Sequence, residues 1–272
     1  MVINLSIIIP TWNTSKITHD FVKSIHRHLK DFSYEIIVID NGSTDNTYEA
    51  LSKLKINNLK IFRNIQNLGF AKANNLAVKK SNGKYLLFLN SDMKLIDDSL
   101  IKMFHYFQKN THLGAIGPQL LNPDLSPQPS VFPPQNIINA FKEFWLNQKN
   151  KYLKYLPDLS RPTPVWSISG GAIMIKKKFF YEIGGWNEKY FFYFEDLDLC
   201  RTIHRFNKNI IYYPLCKIIH HHGASGSNLA DTNKQWRRLI PGSILYHGLI
   251  GHYLLNFVIW SGQKWQKLKQ TI

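Results

Sequence analysis

Three acidic residues stand within four positions, at Glu195, Asp196 and Asp198, directly after a run of aromatic side chains at 190–194. The helix dipole stabilises carboxylates in the first turn of a helix, which is one explanation for the cluster. Alternatively, the aromatic run holds one carboxylate in a partly dry setting, where it can act as a general base. Taken alone, the cluster leaves both explanations open.

A second group of residues has the side chains of a metal site. Asn90, Ser91 and Asp92 follow an apolar segment, and His220 and His222 belong to a histidine run that follows another. An aspartate at a strand end can hold a hard divalent cation that grips a diphosphate, and a histidine can complete the ligand shell. The alternatives are an Asx turn or helix cap for the triplet and ordinary surface or core packing for the histidines.

The first 110 residues contain the elements that must position these groups. Short apolar runs at 5–10, 34–39, 59–62 and 85–89 predict buried strands, and helical periodicity predicts helices at 15–29, 71–80 and 99–110. This alternation indicates a parallel sheet covered on both faces, and such sheets bind ligands beyond the carboxyl ends of their strands. Polar residues stand at three of those ends, which predicts a nucleotide-diphosphate cleft.

The second half of the chain is less regular. Residues 118–134 hold six of the twelve prolines, which predicts a long ordered loop. We expect a helix at 139–155, a glycine-broken strand at 168–175, a helix at 191–205 and a strand at 210–213. The chain is accordingly divided into a catalytic domain at 1–228, with a nucleotide-binding half at about 1–117 and an acceptor half at about 118–228, and a C-terminal helical segment at 229–272.

Composition narrows the classes of binding partner and the compartment that we expect for this chain. The net charge of +16 over 272 residues favours nucleic acid, anionic lipid or phosphorylated substrates. No nucleic-acid-binding signature is present, so nucleic acid is not expected. The two cysteines show no metal-type spacing, which fits a reducing compartment. The first residues lack a basic leader and a cleavage site, and they predict a strand instead of a signal peptide.

Seven motifs occur in a fixed order along the chain: SIIIPTWN, EIIVIDNGSTDNT, NIQNLGFAKANN, YLLFLNSD, SGGAIMI, GGWNEKYFFYFEDLDLC and IIHHHGASG. Together they closely resemble the family 2 glycosyltransferases of the GT-A fold, and within them the bacterial rhamnosyltransferase-like group. The resemblance covers about residues 5–225. It implies an α/β fold with a Rossmann-like, mostly parallel central sheet flanked by helices, to which this chain adds a C-terminal helical extension.

The resemblance also implies roles for single residues. Asp196 matches the catalytic base, with Glu195 beside it. Asp92 matches the metal ligand, in an Asn90-Ser91-Asp92 triplet that has asparagine where the more usual Asp-x-Asp has its first aspartate. His220 fits the family's late histidine best, and His222 is the alternative metal ligand. The nucleotide-binding positions are Thr11, Asn13, Asp40, Asn41, Asn67, Gly69, Asn74, Asn90 and Ser91, and the sugar-binding positions are Gly170, Gly171 and Trp186.

The implied reaction inverts the anomeric centre in one displacement and uses Mg²⁺ or Mn²⁺. Its implied donor is rhamnose or a hexose linked to dTDP or UDP, and its acceptor is a glycan or polyprenyl-linked saccharide of cell-surface polysaccharide synthesis. A nucleotidyltransferase is a competing hypothesis, but the glycine-rich phosphate loop expected near its first strand is missing. A catalytically inactive nucleotide-sugar-binding relative is another.

The C-terminal tail lies outside these motifs. Residues 239–263 contain no Asp, Glu, Lys or Arg, and basic residues flank them on both sides. Proline, glycine, histidine and asparagine within the segment argue against a spanning helix. Two explanations stay open: helices that pack on the catalytic domain or on a partner subunit of a homodimer, or an element in the interface of an anionic membrane. We predict a cytoplasmic enzyme peripherally associated with the inner face of the cell membrane.

Overall fold

A computed structural model describes residues 3–221 and 235–271. Within these residues, twelve strands alternate with helices in the first half and are irregularly spaced in the second. The strands are β1 Leu5–Thr11, β2 Tyr34–Asp40, β3 Leu59–Arg63, β4 Tyr85–Leu89, β5 Met93–Leu95, β6 Leu113–Leu121, β7 Pro127–Gln128, β8 Val131–Phe132, β9 Thr163–Val165, β10 Ser167–Ile168, β11 Ala172–Lys176 and β12 Asn209–His220.

The helices of the described chain cover both faces of the sheet and continue to its C-terminal end. They are α1 Ser15–His28, α2 Thr47–Ser52, α3 Phe70–Lys80, α4 Ser99–Lys109, α5 Ile137–Phe144, α6 Lys177–Glu182, α7 Glu195–Arg205, α8 Gln235–His247 and α9 Leu249–Thr271.

The central sheet runs in the order β3-β2-β1-β4-β11-β6-β12-β5. Strands β3, β2, β1 and β4 are parallel to one another, as are β6 and β12, whereas β11 and β5 are antiparallel to their neighbours. Most neighbouring pairs along this path are therefore parallel, which confirms the predicted fold class.

Two apolar cores lie on opposite faces of the sheet. Residues of β1 alternate between them: Ile7 and Ile9 pack with α1 and α4, whereas Ile8 packs with α3, α6 and α7. Because both faces are covered, the strands consist of continuous apolar runs instead of an apolar–polar alternation. This is why their positions follow directly from the sequence.

The prediction of a long loop at 118–134 is wrong. Its first four residues are the end of β6, and it also contains β7 and β8. Proline is tolerated in β6 because the register of β12 shifts between Tyr213 and Lys217, opposite Pro118. The local irregularity that suggested a loop is a bulge between two paired strands.

The predicted helix at 139–155 is right only at its start, because α5 ends at Phe144. Asn147 and Asn150 have left-handed backbones, with φ of 54° and 61°, which a helix cannot include. The Glu143 carboxylate accepts hydrogen bonds from the N–H groups of residues 151–153 and closes this segment into a compact loop.

Two further element boundaries differ from the prediction. The helix expected at 191–205 begins at Glu195, after two left-handed residues, Tyr193 and Phe194. The strand expected at 210–213 extends over Asn209–His220. Its extension brings His220 to β5 and thus beside the end of β4, where the predicted metal site lies.

The C-terminal segment consists of α8 and α9. Gly262 of α9 packs on Phe144 of α5, and the Trp145 indole donates a hydrogen bond to the carbonyl of Val258. In the described ranges 3–221 and 235–271, no helix has the length and apolarity needed to cross a bilayer.

Candidate active site

A cavity of about 420 Å³ opens where β1, β2 and β4 end, at the edge predicted for the nucleotide. Six of the predicted nucleotide-binding residues line it: Thr11, Asn41, Asn67, Gly69, Asn90 and Ser91. The lining also includes the stretch 189–192, most of which belongs to the aromatic run, and the α8 residues Arg238, Pro241 and Gly242, which the sequence did not indicate.

Asn41 organises the loop that forms one wall of this cavity. Its amide nitrogen donates to Asn67 Oδ1 at 2.9 Å and to the Gly69 carbonyl at 3.2 Å. Its oxygen accepts from Asn64 Nδ2 at 2.9 Å and from the Leu68 N–H at 3.0 Å. With four partners the Asn41 side chain is saturated, so it holds the 64–69 loop in place.

Gly69 is required at the end of this loop. Its φ is +81°, and a Cβ there would lie 2.5 Å from the Phe191 carbonyl oxygen. The next residue, Phe70, donates its N–H to the same oxygen at 3.0 Å. The 64–69 loop and the aromatic run before α7 are therefore in direct contact.

Three predicted nucleotide-binding residues lie beneath the cavity surface or in adjoining turns. Asn13 Oδ1 accepts from the Thr44 N–H at 2.8 Å. Asp40 is fully buried, accepts from the Ser43 N–H at 3.0 Å, and lies 3.3 Å from the Arg63 Nε. Asn74 is buried in α3, and its Oδ1 has no hydrogen-bond partner in the described part of the chain.

Asp92 and His220 meet as predicted. Asp92 Oδ1 lies 3.3 Å from His220 Nε2, and both side chains are buried. His220 Nδ1 donates to Gln128 Oε1 at 2.7 Å, while Gln128 Nε2 donates to Asn122 Oδ1 at 2.8 Å and thereby orients the amide. In the neutral imidazole, the Nε2 lone pair then faces the carboxylate.

Among the described residues, no cluster of three or more His, Cys, Asp or Glu side chains could hold a metal ion. Asp92 and His220 are the two predicted ligands that the described structure brings together. His222, the other predicted ligand, lies outside the described residues. A site with few protein ligands suits Mg²⁺ or Mn²⁺, which take further oxygens from substrate phosphates and water.

The two-residue turn Gly170–Gly171 joins this end of the site to the predicted base. The Asn90 N–H donates to the Gly171 carbonyl at 2.9 Å, and the Gly170 N–H donates to Asp196 Oδ2 at 3.1 Å. A Cβ on Gly171 would lie 2.8 Å from Asn90 Nδ2, and one on Gly170 would lie 2.9 Å from the Asp196 Cβ. A side chain at Gly170 would displace Asp196, and one at Gly171 would force the Asn90 amide to move.

Glu195 and Asp196 begin α7, and their environments differ. Burial and the neighbouring Asp196 raise the pKa of Glu195 to about 8. Its Oε2 has no hydrogen-bond partner among the described residues. Burial also raises the pKa of Asp196, but hydrogen bonds from the Gly170 and Leu197 N–H groups and the charge of Lys154 favour its ionised form. Of the two carboxyl groups, Asp196 therefore has the partners that stabilise a negative charge.

Trp186 lies under this turn. It is buried against the rings of Phe70, Phe88 and Phe180, and its Nε1 finds no hydrogen-bond partner in the described structure. A Cβ on Gly170 would lie 3.1 Å from the edge of the indole. The predicted sugar contact through Trp186 is therefore replaced, in this conformation, by support of the Gly170 backbone from below.

Sequence reasoning missed two parts of the site. Gln128 lies in the proline-rich stretch, 92 positions from His220, and has no local pattern that links the two. Arg238, Pro241 and Gly242 lie beyond the last motif. Only the absence of charge in the tail marked α8 as unusual.

Comparison with known proteins agrees with this geometry. The model of the family described as glycosyl transferase family 2 matches residues 6–184. The N-acetylglucosaminyl-diphospho-decaprenol L-rhamnosyltransferase of Mycobacterium tuberculosis (strain CDC 1551 / Oshkosh) is 25% identical over 223 residues, or 73% of this chain and 72% of that protein. The poly-beta-1,6-N-acetyl-D-glucosamine synthase of Staphylococcus epidermidis is 27% identical over 98% of this chain, which spans 59% of the synthase.

Two solved structures share the fold at 16% sequence identity. GalNAc-T7 with UDP, GalNAc and Mn²⁺ superposes with a TM-score of 0.67 over 81% of this chain and 44% of that one. S. aureus TarS 1-349 superposes with a TM-score of 0.61 over 90% of this chain and 64% of that one. The chain spans less than two thirds of either structure. Since the family model covers more than half of the sequence, this GT-A-fold chain belongs to glycosyl transferase family 2.

Proposed function

We propose that this chain is a metal-dependent inverting glycosyltransferase of cell-surface polysaccharide synthesis. It transfers rhamnose or a hexose from a dTDP- or UDP-linked donor to a glycan or a polyprenyl-linked saccharide. The observation that carries the proposal is the Gly170–Gly171 turn, which hydrogen-bonds to Asn90 at one end and to Asp196 at the other. A diphosphate-binding group and a base are thereby held on either side of one backbone segment.

Asp92 and His220 are the residues that would hold the metal. The side-chain oxygen of Gln128 accepts a hydrogen bond from His220 Nδ1–H. The Nε2 lone pair of the neutral imidazole then faces a carboxylate oxygen of Asp92 at 3.3 Å. This donor set fits a divalent cation. When bound, the metal neutralises charge on the departing nucleoside diphosphate.

Asp196 is the proposed base. Its ionised form accepts hydrogen bonds from the N–H groups of Gly170 and Leu197. Its raised pKa makes the carboxylate a stronger proton acceptor. The carboxylate takes the proton of the acceptor hydroxyl, whose oxygen bonds to the anomeric carbon as the bond to the diphosphate oxygen breaks. Glu195 keeps its proton beside it, so Asp196 is the carboxylate available for this step.

The relatives support the choice of substrates. One is named for L-rhamnosyl transfer to a decaprenol-linked N-acetylglucosamine, another for polymerising N-acetyl-D-glucosamine, and a structural neighbour was crystallised with UDP and Mn²⁺. Membership of the family favours glycosyl transfer over nucleotidyl transfer. The proposed enzyme has a catalytic domain at 1–228 and a C-terminal segment at 229–272, and it works at the inner face of the cell membrane.

A two-step experiment tests this function. Thermal shifts are measured with UDP, dTDP and GDP, each with and without Mn²⁺, because ligand binding to the native state raises its apparent stability. We expect UDP or dTDP to stabilise the protein, and more so with Mn²⁺. The sugar donors of the preferred nucleotide are then tested for transfer to a polyprenyl-linked acceptor. A protein stabilised by none of these nucleotides would contradict the proposal.

A further inference from the structure

Helix α9 shows its apolar side to solvent. Large apolar side chains recur along one stripe, and two of the most exposed are Ile250 at 76% and Phe257 at 62%. The stripe consists of Ile250, Tyr253, Leu254, Phe257, Trp260 and Leu268. Their spacing of three, four or seven residues along most of the helix places them on one face. A helix of a water-soluble surface has the opposite orientation, with its apolar face toward the protein.

The inward side of α9 is mostly small or polar, and Leu255 is its one buried large apolar residue among the described positions. His252 is buried, and its Nδ1 lies 2.8 Å from Ser243 Oγ of α8. Gly262 lets the helix approach Phe144 so closely that a Cβ would lie 2.7 Å from the Phe144 Cβ. The helix is thus anchored by Leu255 together with polar and close backbone contacts, and most of its large apolar groups are left outside.

A basic cleft adjoins the same stripe. It lies between α9 and the loop after α5, and four lysines line it together with Trp260: Lys149, Lys154, Lys264 and Lys267. Glu143 is the acid that lines it, and the N–H groups of residues 151–153 already occupy its carboxylate. The residues of 235–271 include no acid at all. An anionic partner therefore matches the charge of this surface.

We propose that this face docks on an anionic bilayer, with the α9 stripe among the acyl chains and the lysine cleft on the lipid phosphates. Apolar and aromatic residues beside lysines are the combination that binds in the membrane interface. A second copy of the chain would bring the same lysines together, which like-charge repulsion disfavours. This inference rests on the proposed function only in calling the surface the membrane-facing side of an enzyme. The binding to vesicles does not depend on that function.

Docking there leaves the catalytic cavity attached to the bilayer through α8. Arg201 of α7 donates to the Tyr246 carbonyl at 3.1 Å and stacks 3.9 Å over its ring. A Cβ on Gly242 would lie 2.7 Å from the Tyr193 carbonyl, so α8 also packs closely on the turn before Glu195. The face proposed to bind lipid and the helix that carries Asp196 are therefore connected through α8.

The test is co-sedimentation of the full chain with vesicles of phosphatidylcholine, with and without phosphatidylglycerol. We expect binding to the anionic vesicles, at least tenfold weaker binding for Ile250→Ser with Phe257→Ser, and unchanged binding for the matched control Leu125→Ser with Leu215→Ser. Both pairs replace exposed apolar residues, so neither removes core packing. Lys264→Gln with Lys267→Gln should weaken binding by about fivefold per lysine and reduce its salt dependence.

Three outcomes would overturn the proposal. The wild-type chain does not sediment with anionic vesicles, or the stripe variant binds them as the wild type does. In the third, the stripe variant changes the oligomeric state in light scattering without changing vesicle binding, which assigns the stripe to a second copy. Nucleotide-induced thermal shifts of the same variants, measured without vesicles, separate this test from the proposed function: a chain that binds vesicles but no nucleotide contradicts only that function.

Discussion

The two sides of the catalytic cleft are built differently. On the nucleotide side, Asn13 and Asn41 each hydrogen-bond to the loop that follows the next strand of the sheet. On the catalytic side, Glu195 is buried with a raised pKa, and Tyr193 and Phe194 before it have φ of 72° and 69°. The Trp186 indole N–H beneath has no partner among the described residues.

The difference separates binding from chemistry. A surface that recognises a nucleotide can be made from ordinary turns, since its side chains need only a fixed position. A base must keep a proton affinity that water would lower, and the fold must hold it there at a cost in stability. Perturbed pKa values are therefore expected on the catalytic side. A left-handed backbone occurs on both sides, at Asn13 as well as at Tyr193 and Phe194.

The largest effect is expected at Asp196. Asp196→Asn should lower the rate of transfer by at least about a hundredfold, because a general base contributes that much or more. Nucleotide binding, followed by thermal shift, should stay as in the wild type. Asp31→Asn, on an exposed residue far along the chain, is the matched control. A variant that keeps more than about a tenth of the wild-type rate would remove Asp196 from the role of base.

Asp92→Ala should abolish the part of nucleoside-diphosphate binding that depends on metal, because the carboxylate is one of the two proposed metal ligands. Titration calorimetry with and without Mn²⁺ measures that part, and EDTA should reduce the wild type to the same level. Affinity without metal is the internal control. If saturating Mn²⁺ strengthens binding equally in both proteins, Asp92 does not hold the metal.

Gln128→Leu should weaken Mn²⁺ binding by about 10–100-fold, the usual effect of losing a partner that orients a ligand histidine. Gln128→Glu keeps an oxygen for the His220 Nδ1–H and should restore much of the affinity. Metal-free nucleotide binding should not change in either variant. Equal Mn²⁺ affinity in Gln128→Leu and the wild type would limit Gln128 to a structural role.

Asn41→Ala tests the nucleotide side. It removes an amide that makes four hydrogen bonds, so the free energy of unfolding should fall by about 2 kcal/mol or more. Denaturant melts measure the loss, and donor KM should rise while kcat at saturating donor is kept. A fall in kcat with unchanged KM would show that the two sides are not separate in the way proposed.

Glu195→Gln tests the catalytic side. Whereas Asn41→Ala should lower stability, Glu195→Gln should reduce the loss of stability that the wild type shows as the pH rises. Between pH 4.5 and about 8 the folded wild type keeps a proton on Glu195 that the unfolded chain has lost, so its stability falls as the pH rises. Glutamine removes this dependence, which amounts to at most about 1.4 kcal/mol per pH unit. Urea melts at pH 5 and pH 8 should show the smaller decrease for the variant. Parallel decreases in both proteins would indicate that Glu195 is not held neutral.

The parallel half of the sheet could be predicted because burial on both faces leaves unbroken apolar runs in the sequence. Strand β6 could not, although it is buried throughout. Its two glycines and one proline are poor strand formers, and pairing with β11 and β12 overrides that preference. Such pairing depends on residues that are distant along the chain.

The site shows the same division. Asp92 and His220 were predicted together from motifs, and the structure brings them within 3.3 Å. The sequence predicts helix at Tyr193 and Phe194, where the structure has a left-handed turn, because aromatic residues have no local preference for a left-handed backbone. Its conformation depends on Phe191 contacting Gly69 and on Gly242 packing against Tyr193. Contacts of this kind leave no periodic pattern.

The glycine pair at 170–171 also limits how related chains can differ in length. One added residue there would displace the backbone by about 3.8 Å and detach either Asn90 or Asp196 from the turn. The 156–162 stretch before β9 is mostly exposed, and its side chains bond locally, with Ser160 and Arg161 both donating to Asp158. We therefore expect insertions that adapt relatives to larger acceptors to accumulate in that stretch, while the turn keeps its two residues.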